Sequence, residues 1–338
     1  MNQKTVYILG AGASKHAGLP LLNDFFAHAY SVREKNRWGQ NAPNGYAVAL
    51  QQVDDFRATL KVEKPTVNVH NLEEIYAEAL ERKVDSLVPS LNKVIEGVMD
   101  LGGCVIRYQG QQYQPDSVYD DFVKRFIRAG DVTTITFNWD CLLDYALFYN
   151  DLAPNYCLGQ GQERNPVKLI KIHGSINWGQ CKKCNSGPYP TTPNNEIGTR
   201  PGVIRRAKAD FDLRLATEII PKKTCPKCND RLASLIVPPS QEAKFSFLQH
   251  YETEVNAVIK EAERLYFIGY SFPESDRYFL HLMQKSLVGN IRLREIHVVN
   301  PDSGLKSTYE ENLEAKRHSL TVKMIPKTFA QYLASGIH

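Results

Sequence analysis

The stretch Thr5-Val-Tyr-Ile-Leu-Gly-Ala-Gly-Ala-Ser14 decides the fold. Its first five residues are apolar or β-branched without polar alternation, which predicts a short strand buried on both faces. Gly10-Ala-Gly predicts a tight turn, and a helical pattern runs on through about Tyr30. Strand, glycine turn and helix, in that order, open a nucleotide-binding α/β unit. Glycine lets backbone amides approach a pyrophosphate, and a following helix N-terminus adds partial positive charge. The same turn also suits plain close packing. Position 15 is Lys, so the strict Gly-x-Gly-x-x-Gly spacing of a hydride-transfer dinucleotide site is absent.

Working outward, further apolar runs alternate with helical patterns. Residues 132–137 end in Asn138-Trp139-Asp140 before an apolar helix over 142–147, and residues 167–172 end in His173-Gly174. Residues 265–268 end in Gly269-Tyr270-Ser271, and 296–299 end in Asn300-Pro301. Helices are predicted over 244–262 and 276–288, with a short apolar strand at 235–237 before Pro238-Pro239. This alternation predicts a parallel sheet covered by helices on both faces, with ligands at the carboxyl ends of the strands. Asn138, Asp140, His173, Ser271 and Asn300 all fall there. Each has a plainer use: Asn138 and Asp140 suit helix capping, His173 a structural hydrogen bond, and Ser271 and Asn300 the turns before Pro273 and Pro301.

Two segments interrupt the alternation. Residues 33–130 are charged, with Leu72, Ile75, Tyr76 and Leu80, then Leu91, Val94, Ile95 and Val98, at helical spacing, which predicts a mostly helical insertion. Residues 179–232 are rich in Pro, Lys, Asn and Gly and are bracketed by Cys181-x-x-Cys184 and Cys225-x-x-Cys228. Two such knuckles bring four thiolates to one tetrahedral Zn²⁺, a closed arrangement that leaves no position for water and is therefore structural. A metal-free knuckle and a redox pair are the other readings. The expected organisation is one unit over 1–338. Its nucleotide-binding core comprises 1–32, 131–178 and 233–338, with a helical insertion at 33–130 and a zinc module at 179–232.

The 338 residues, 43% hydrophobic and 23% charged, have a globular composition, which disfavours disordered, collagen and coiled-coil classes. A net charge of +4, from 41 basic and 37 acidic residues, is too slight to imply a nucleic-acid or membrane surface. No apolar run approaches the ~20 residues that span a bilayer. With a strand-like start and metal-knuckle cysteines, a cytoplasmic location is expected. Of the seven cysteines, Cys104, Cys141 and Cys157 remain scattered.

In order, Gly10-Ala-Gly-Ala-Ser14 with Gly18-Leu-Pro20, Thr136-Phe-Asn138-Trp-Asp140, Ile172-His173-Gly174-Ser175, the cysteine pairs, Phe267-Ile-Gly269-Tyr-Ser271 and Val299-Asn300 resemble the sirtuin family across nearly the whole chain. The resemblance implies a sirtuin-like Rossmann-type α/β fold that binds NAD. It implies that Gly10, Ala11, Gly12, Ala13 and Ser14 hold the pyrophosphate, that Asn138 and Asp140 line the nicotinamide-ribose pocket, and that His173 is the general base. Gly269, Ser271 and Asn300 would contact the adenosine half. Protein-deacylating sirtuins continue the first motif with Ile-Pro-Asp-Phe-Arg, where this chain has Leu19-Pro20-Leu21-Leu22-Asn23-Asp24-Phe25. Their acyl-peptide strand is replaced by Leu235-Ile-Val-Pro-Pro239, whose prolines lack backbone donors.

These departures, with the long insertion, resemble the sirtuin-like NAD-consuming proteins of prokaryotic antiphage defence. The implied activity is an NAD hydrolase with Asn138 and His173 as catalytic residues, NAD as substrate and Zn²⁺ as structural metal. The alternatives are an NAD-dependent protein deacylase or ADP-ribosyltransferase, and a non-catalytic NAD or ADP-ribose sensor. The expected partners are further copies of the chain, or a separately encoded one such as a ring-forming translocase ATPase. Neither a membrane nor a nucleic acid is expected.

Overall fold

In a computed structural model of the chain, residues 3–34, 45–84, 86–99, 106–109, 112–158, 166–190, 223–237, 249, 251–315 and 320–336 are described. The strands are β1 (Thr5–Leu9), β2 (Ile106–Gln109), β3 (Gln112–Pro115), β4 (Val132–Thr136), β5 (Ala153–Asn155), β6 (Pro166–Lys171), β7 (Gly174–Cys181), β8 (Tyr189–Pro190), β9 (Leu232–Ile236), β10 (Arg264–Ile268), β11 (Glu295–Val299) and β12 (Val322–Ile325). The helices are α1 (Phe25–Glu34), α2 (Tyr46–Glu63), α3 (Leu72–Glu81), α4 (Leu87–Gly97), α5 (Ser117–Phe122), α6 (Leu142–Tyr149), α7 (Glu252–Glu261), α8 (Arg277–Val288), α9 (Lys306–Asn312) and α10 (Phe329–Ala334).

β1 is buried at every position, as its unbroken apolar sequence predicts. It lies at the centre of a seven-stranded sheet of order β12-β11-β10-β1-β4-β6-β5, in which every pairing is parallel. The chain winds outward from β1 in one direction to β4 and β6, then in the other to β10, β11 and β12. With right-handed crossovers these two windings put helices on opposite faces. One layer joins α5 to α6 and α10, and α7 packs on α8 in the other. Tyr7, Tyr266 and His297 occupy matching registers on β1, β10 and β11. Their rings stack at 5.1 and 4.5 Å, so cross-strand ring contacts bind three strands on one face.

Within 33–130 lie α2, α3, α4, the β2–β3 hairpin and α5. The helical spacing is realised: Leu72, Ile75, Tyr76, Leu91, Val94, Ile95 and Val98 are buried, and Leu80 is half-buried. These side chains share one continuous hydrophobic cluster with Ile8 of β1 and Phe267 of β10.

The structure departs from the sequence expectation in four places. Residues after β1 do not enter one helix: three single 3₁₀ turns, Ala11–Ala13, Lys15–Ala17 and Leu22–Asp24, precede α1. Gly18, at φ +86°, and Pro20 explain the interruption. The apolar run at 235–237 belongs to a separate antiparallel sheet of order β8-β7-β9, because hydrophobicity reports burial and not the choice of partner. Edge strands β5 and β12 have no counterpart in the apolar pattern. α7 begins at Glu252, and residues 244–248 and 250 of the expected helix lie outside the described residues. No helix among the described residues is long and apolar enough to cross a membrane.

Candidate active site

The backbone ladder runs one residue beyond the strands, so their carboxyl ends finish together. Phe137 N–H donates to Leu9 O at 2.9 Å, Ile172 N–H to Thr136 O at 2.9 Å and Gly10 N–H to Ile268 O at 3.0 Å. Asn138, His173, Gly269 and Gly10 therefore stand at one edge of the sheet. There they line an open cleft of about 820 Å³ with Ala11, Gly12, Ser14, Asp140 and Ser271. The far walls come from residues 19–25 and from the first turn of α3. Of the residues singled out in the sequence, Ala13 and Asn300 stand apart from this lining. Ala13 is fully buried. Asn300 is occupied in a turn, accepting from Asp302 N–H at 3.0 Å.

The glycines interlock. Gly12 N–H donates to Gly269 O at 2.9 Å. A Cβ on Gly269 would lie 2.3 Å from Ala13 N and 2.4 Å from Gly12 C, and Gly269 has φ +59°. Close approach of two strand-end turns thus already requires glycine here, so the packing reading of the motif holds whether or not a phosphate also approaches.

Ser14 is the hub beside this turn. It has one hydroxyl proton, and donating it to Asp140 Oδ2 at 2.8 Å leaves lone pairs for Asn138 Nδ2 at 3.0 Å and for the Tyr119 hydroxyl at 2.9 Å. Tyr119 must then be the donor. Asn138 is oriented with Nδ2 toward Ser14, which frees its Oδ1 as an acceptor. The Asp140 Oδ1 also accepts Leu142 N–H, the first amide of α6, at 3.0 Å. Burial pushes the Asp140 carboxyl up, opposed by Lys171, the Leu142 amide and Ser14. Burial, and next the Asp140 charge, hold the Tyr119 phenol well above its ordinary range.

Beneath the cleft, Lys171 Nζ donates to Asp140 O at 2.7 Å and to Asp144 Oδ2 at 3.0 Å. Both side chains are buried. Although burial opposes its charge, Asp144, Cys141 and Asp140 keep the Lys171 pKa above its ordinary value. This pair ties the segment after β4 to the end of β6. Lys171 interrupts the apolar run 169–172, and a lysine there signals a buried partner.

His173 is held from three directions. Its carbonyl accepts Trp139 Nε1–H at 2.9 Å and Val237 N–H at 3.0 Å. Gly174, at φ +73°, makes the sharp exit into β7, where a Cβ would sit 2.3 Å from Leu235 O. The ring meets Phe137 edge-on at 5.1 Å, and its Nε2 lies 3.0 Å from Asp276 Oδ1. Asp276 Oδ2 accepts the Tyr270 hydroxyl at 3.0 Å. Burial, and next the Asp276 charge, keep that phenol protonated. A carboxylate beside Nε2 fixes the Nε2–H tautomer, leaving Nδ1 as the basic nitrogen. Sequence reasoning does not single out Asp276; its signal, an acid several residues past a strand end, is indistinguishable there from a turn residue.

The four knuckle cysteines converge, with sulfurs all within 4.8 Å of one another. Cys181 and Cys228 approach to 3.4 Å, and Cys184 and Cys225 to 3.5 Å. Four sulfurs at ~2.3 Å from one ion are ~3.8 Å apart, so the set fits tetrahedral Zn²⁺. The Ser186 hydroxyl sits 2.9 Å from Cys184 Sγ and 3.2 Å from Cys225 Sγ. Of the scattered thiols, Cys141 is buried, Cys157 is half-buried and Cys104 lies outside the described residues.

No family model matches this chain, and no curated protein matches it. Solved structures do resemble it. A Sir2 homologue in complex with ADP-ribose aligns with TM-score 0.41 and 15% identity over 98% of this chain and 89% of that one. A Sir2 homologue–NAD complex gives 0.40 and 17% over 98% and 86%, and Sir2 bound to an acetylated peptide gives 0.40 and 15% over 99% and 92%. At such identities and TM-scores, fold and chemistry rest on the chain's own sheet, cleft and cysteine cluster.

Proposed function

We propose that this chain is a sirtuin-like NAD hydrolase that releases nicotinamide and ADP-ribose, with a structural zinc in its cysteine cluster. The observation that carries the reading is the meeting of Asn138 and His173 in one cleft at the sheet's carboxyl edge, with His173 backed by buried Asp276. Cleavage of the nicotinamide–ribose bond passes through an oxocarbenium-like sugar. Asn138 Oδ1 orients a ribose hydroxyl and the attacking water. The water oxygen bonds to the anomeric carbon, and the bonding pair of the broken C–N bond passes to the pyridine nitrogen. The water proton goes to His173 Nδ1 and then to solvent. Asp276 steadies the imidazolium that forms. Base catalysis of this kind contributes ~10²- to 10⁴-fold, and positioning in the cleft supplies more.

Asn138→Ala and His173→Ala test the assignment. Each should lower nicotinamide release at least ~10²-fold in protein that remains folded. Unchanged turnover in both variants refutes the assigned roles.

A second reading, NAD-dependent deacylation or ADP-ribosyl transfer, has one supporting feature: among the described residues β9 pairs only with β7, leaving an edge on which a peptide strand could lie. Pro238 and Pro239, which argue against such pairing, lie outside the described residues. The proposed cellular role is NAD depletion in antiphage defence in the cytoplasm, triggered through self-assembly or a translocase ATPase partner. A strict monomer with full NAD hydrolase activity would count against the assembly part.

A further inference from the structure

Helix α3 forms one wall of the cleft, and the turn Glu274–Asp276 forms another. The two are joined across the opening: the Ser275 hydroxyl donates to Glu73 Oε2 at 2.7 Å, over 202 positions of sequence. Both ends of this bond are locally fixed. On the helix side, Asn71 caps α3 by accepting Glu73 N–H at 2.9 Å, and Leu72, Ile75 and Tyr76 bury the helix beneath. On the turn side, Asp276 N–H donates to Pro273 O at 2.9 Å, and Phe272 enters the turn at φ +54°. The residue after Ser275 is Asp276, the partner of His173 and Tyr270.

We infer that the Glu73–Ser275 hydrogen bond is a clasp through which α3 positions the Asp276–His173 pair. The inference rests on the proposed role of His173 as general base. Glu73 and Ser275 are then positioning residues. Ser275 and Asp276 share one 3₁₀ turn, so a displacement of Ser275 is carried directly into the carboxylate that fixes the imidazole. Without the bond, the turn that follows Phe272 and Pro273 loses this tether to α3 and can populate other positions. A hydrogen bond to a charged acceptor shifts such a local equilibrium by about tenfold or more. The clasp also gives the inserted helices a purchase on the reaction, since anything that moves the first turn of α3 moves the general base.

Ser275→Ala and Glu73→Ala should each lower kcat for NAD about tenfold. The double variant should be no slower than either single one, because both remove the same bond. Ser275→Thr and Glu73→Gln, which keep a donor and an acceptor, should recover most of the rate. Nitrogen-15 NMR of His173 supplies a readout that does not depend on turnover. The wild type should show the Nε2–H tautomer, and Ser275→Ala a mixture of the two neutral forms. Additive losses, absence of rescue, or an unchanged tautomer in the alanine variants would each overturn the clasp. If zinc-loaded wild type releases no nicotinamide from NAD, the proposed activity fails, while the tautomer comparison still decides the clasp.

Discussion

Gly269→Ala separates the two uses of the glycine turns. The new methyl would lie 2.3 Å from Ala13 N, 2.4 Å from Gly12 C and 2.6 Å from Gly12 Cα, all of them backbone atoms that no rotamer change can move. Reaching ordinary contact demands a retreat of about 1 Å by one of the two strand-end turns. A left-handed φ of +59° costs a residue with a Cβ about 1–2 kcal/mol. Overpacking adds about 1–3 kcal/mol. Losing the Gly12 N–H to Gly269 O bond removes about 1 kcal/mol more. The variant should therefore be about 3–6 kcal/mol less stable in denaturant unfolding, a large part of a typical domain's ~5–15 kcal/mol. NAD affinity, measured by calorimetry on whatever remains folded, should fall with it, because Ser14 and its partners follow the displaced turn. A loss below about 1 kcal/mol would refute the interlock. In that case a selective loss of NAD binding would reassign these glycines to ligand approach alone.

The buried polar groups and the cysteines carry three more expectations. Lys171→Met strands Asp144 without its counter-ion and should destabilise the fold by about 3–5 kcal/mol in chemical unfolding, with much of the loss recovered when Asp144→Leu is added. Asp116 accepts the Val118 and Tyr119 amides at 3.0 and 3.1 Å and lies 2.7 Å from His16 Nε2. Burial opposes its ionisation, but His16 and these amides hold its carboxyl below the ordinary 3.8. A lowered folded-state pKa contributes stability above the unfolded value and loses it as pH falls through the folded one. Asp116→Ala should thus be about 1–2 kcal/mol less stable at neutral pH, and the charge-dependent part of that gap should close as the pH falls below the ordinary 3.8 and through the lower folded-state value. Chelation of the metal, or Cys225→Ser, should remove one bound zinc per chain and lower the thermal midpoint; metal analysis showing no zinc in the folded wild type would reject the cluster as a zinc site.

The legible parts of this protein are those set by local chemistry. β1 is an unbroken apolar or β-branched run, and β4, β6, β10 and β11 each carry buried apolar residues, because both faces of a central parallel strand are covered, and the sequence shows these apolar residues directly. The edge strands are hidden for the complementary reason: β5 is three residues long and contains Pro154, and β12 carries exposed Lys323. Strand-end positions are readable too, so Ser14, Asn138, Asp140 and His173 can be placed near one another from the strand pattern alone. Their partners cannot. Asp276 reaches His173 across 103 positions and Glu73 reaches Ser275 across 202, and neither acid differs in sequence from a solvated one. Asn300 stands at a strand end outside the cleft lining, its Oδ1 accepting Asp302 N–H in the following turn and its Nδ2 donating to Tyr270 O, partners that residue type alone does not reveal. Which sheet an apolar strand joins is equally silent in sequence, as β9 illustrates.

The central claim is tested most directly by incubating zinc-loaded protein with NAD alone, and in parallel with NAD and an acylated peptide, while quantifying nicotinamide and ADP-ribose by chromatography. Hydrolysis predicts both products from NAD alone, in equal amounts, at a rate the peptide does not raise. Nicotinamide that forms only when the peptide is present, with the acyl group transferred to ADP-ribose, would contradict it.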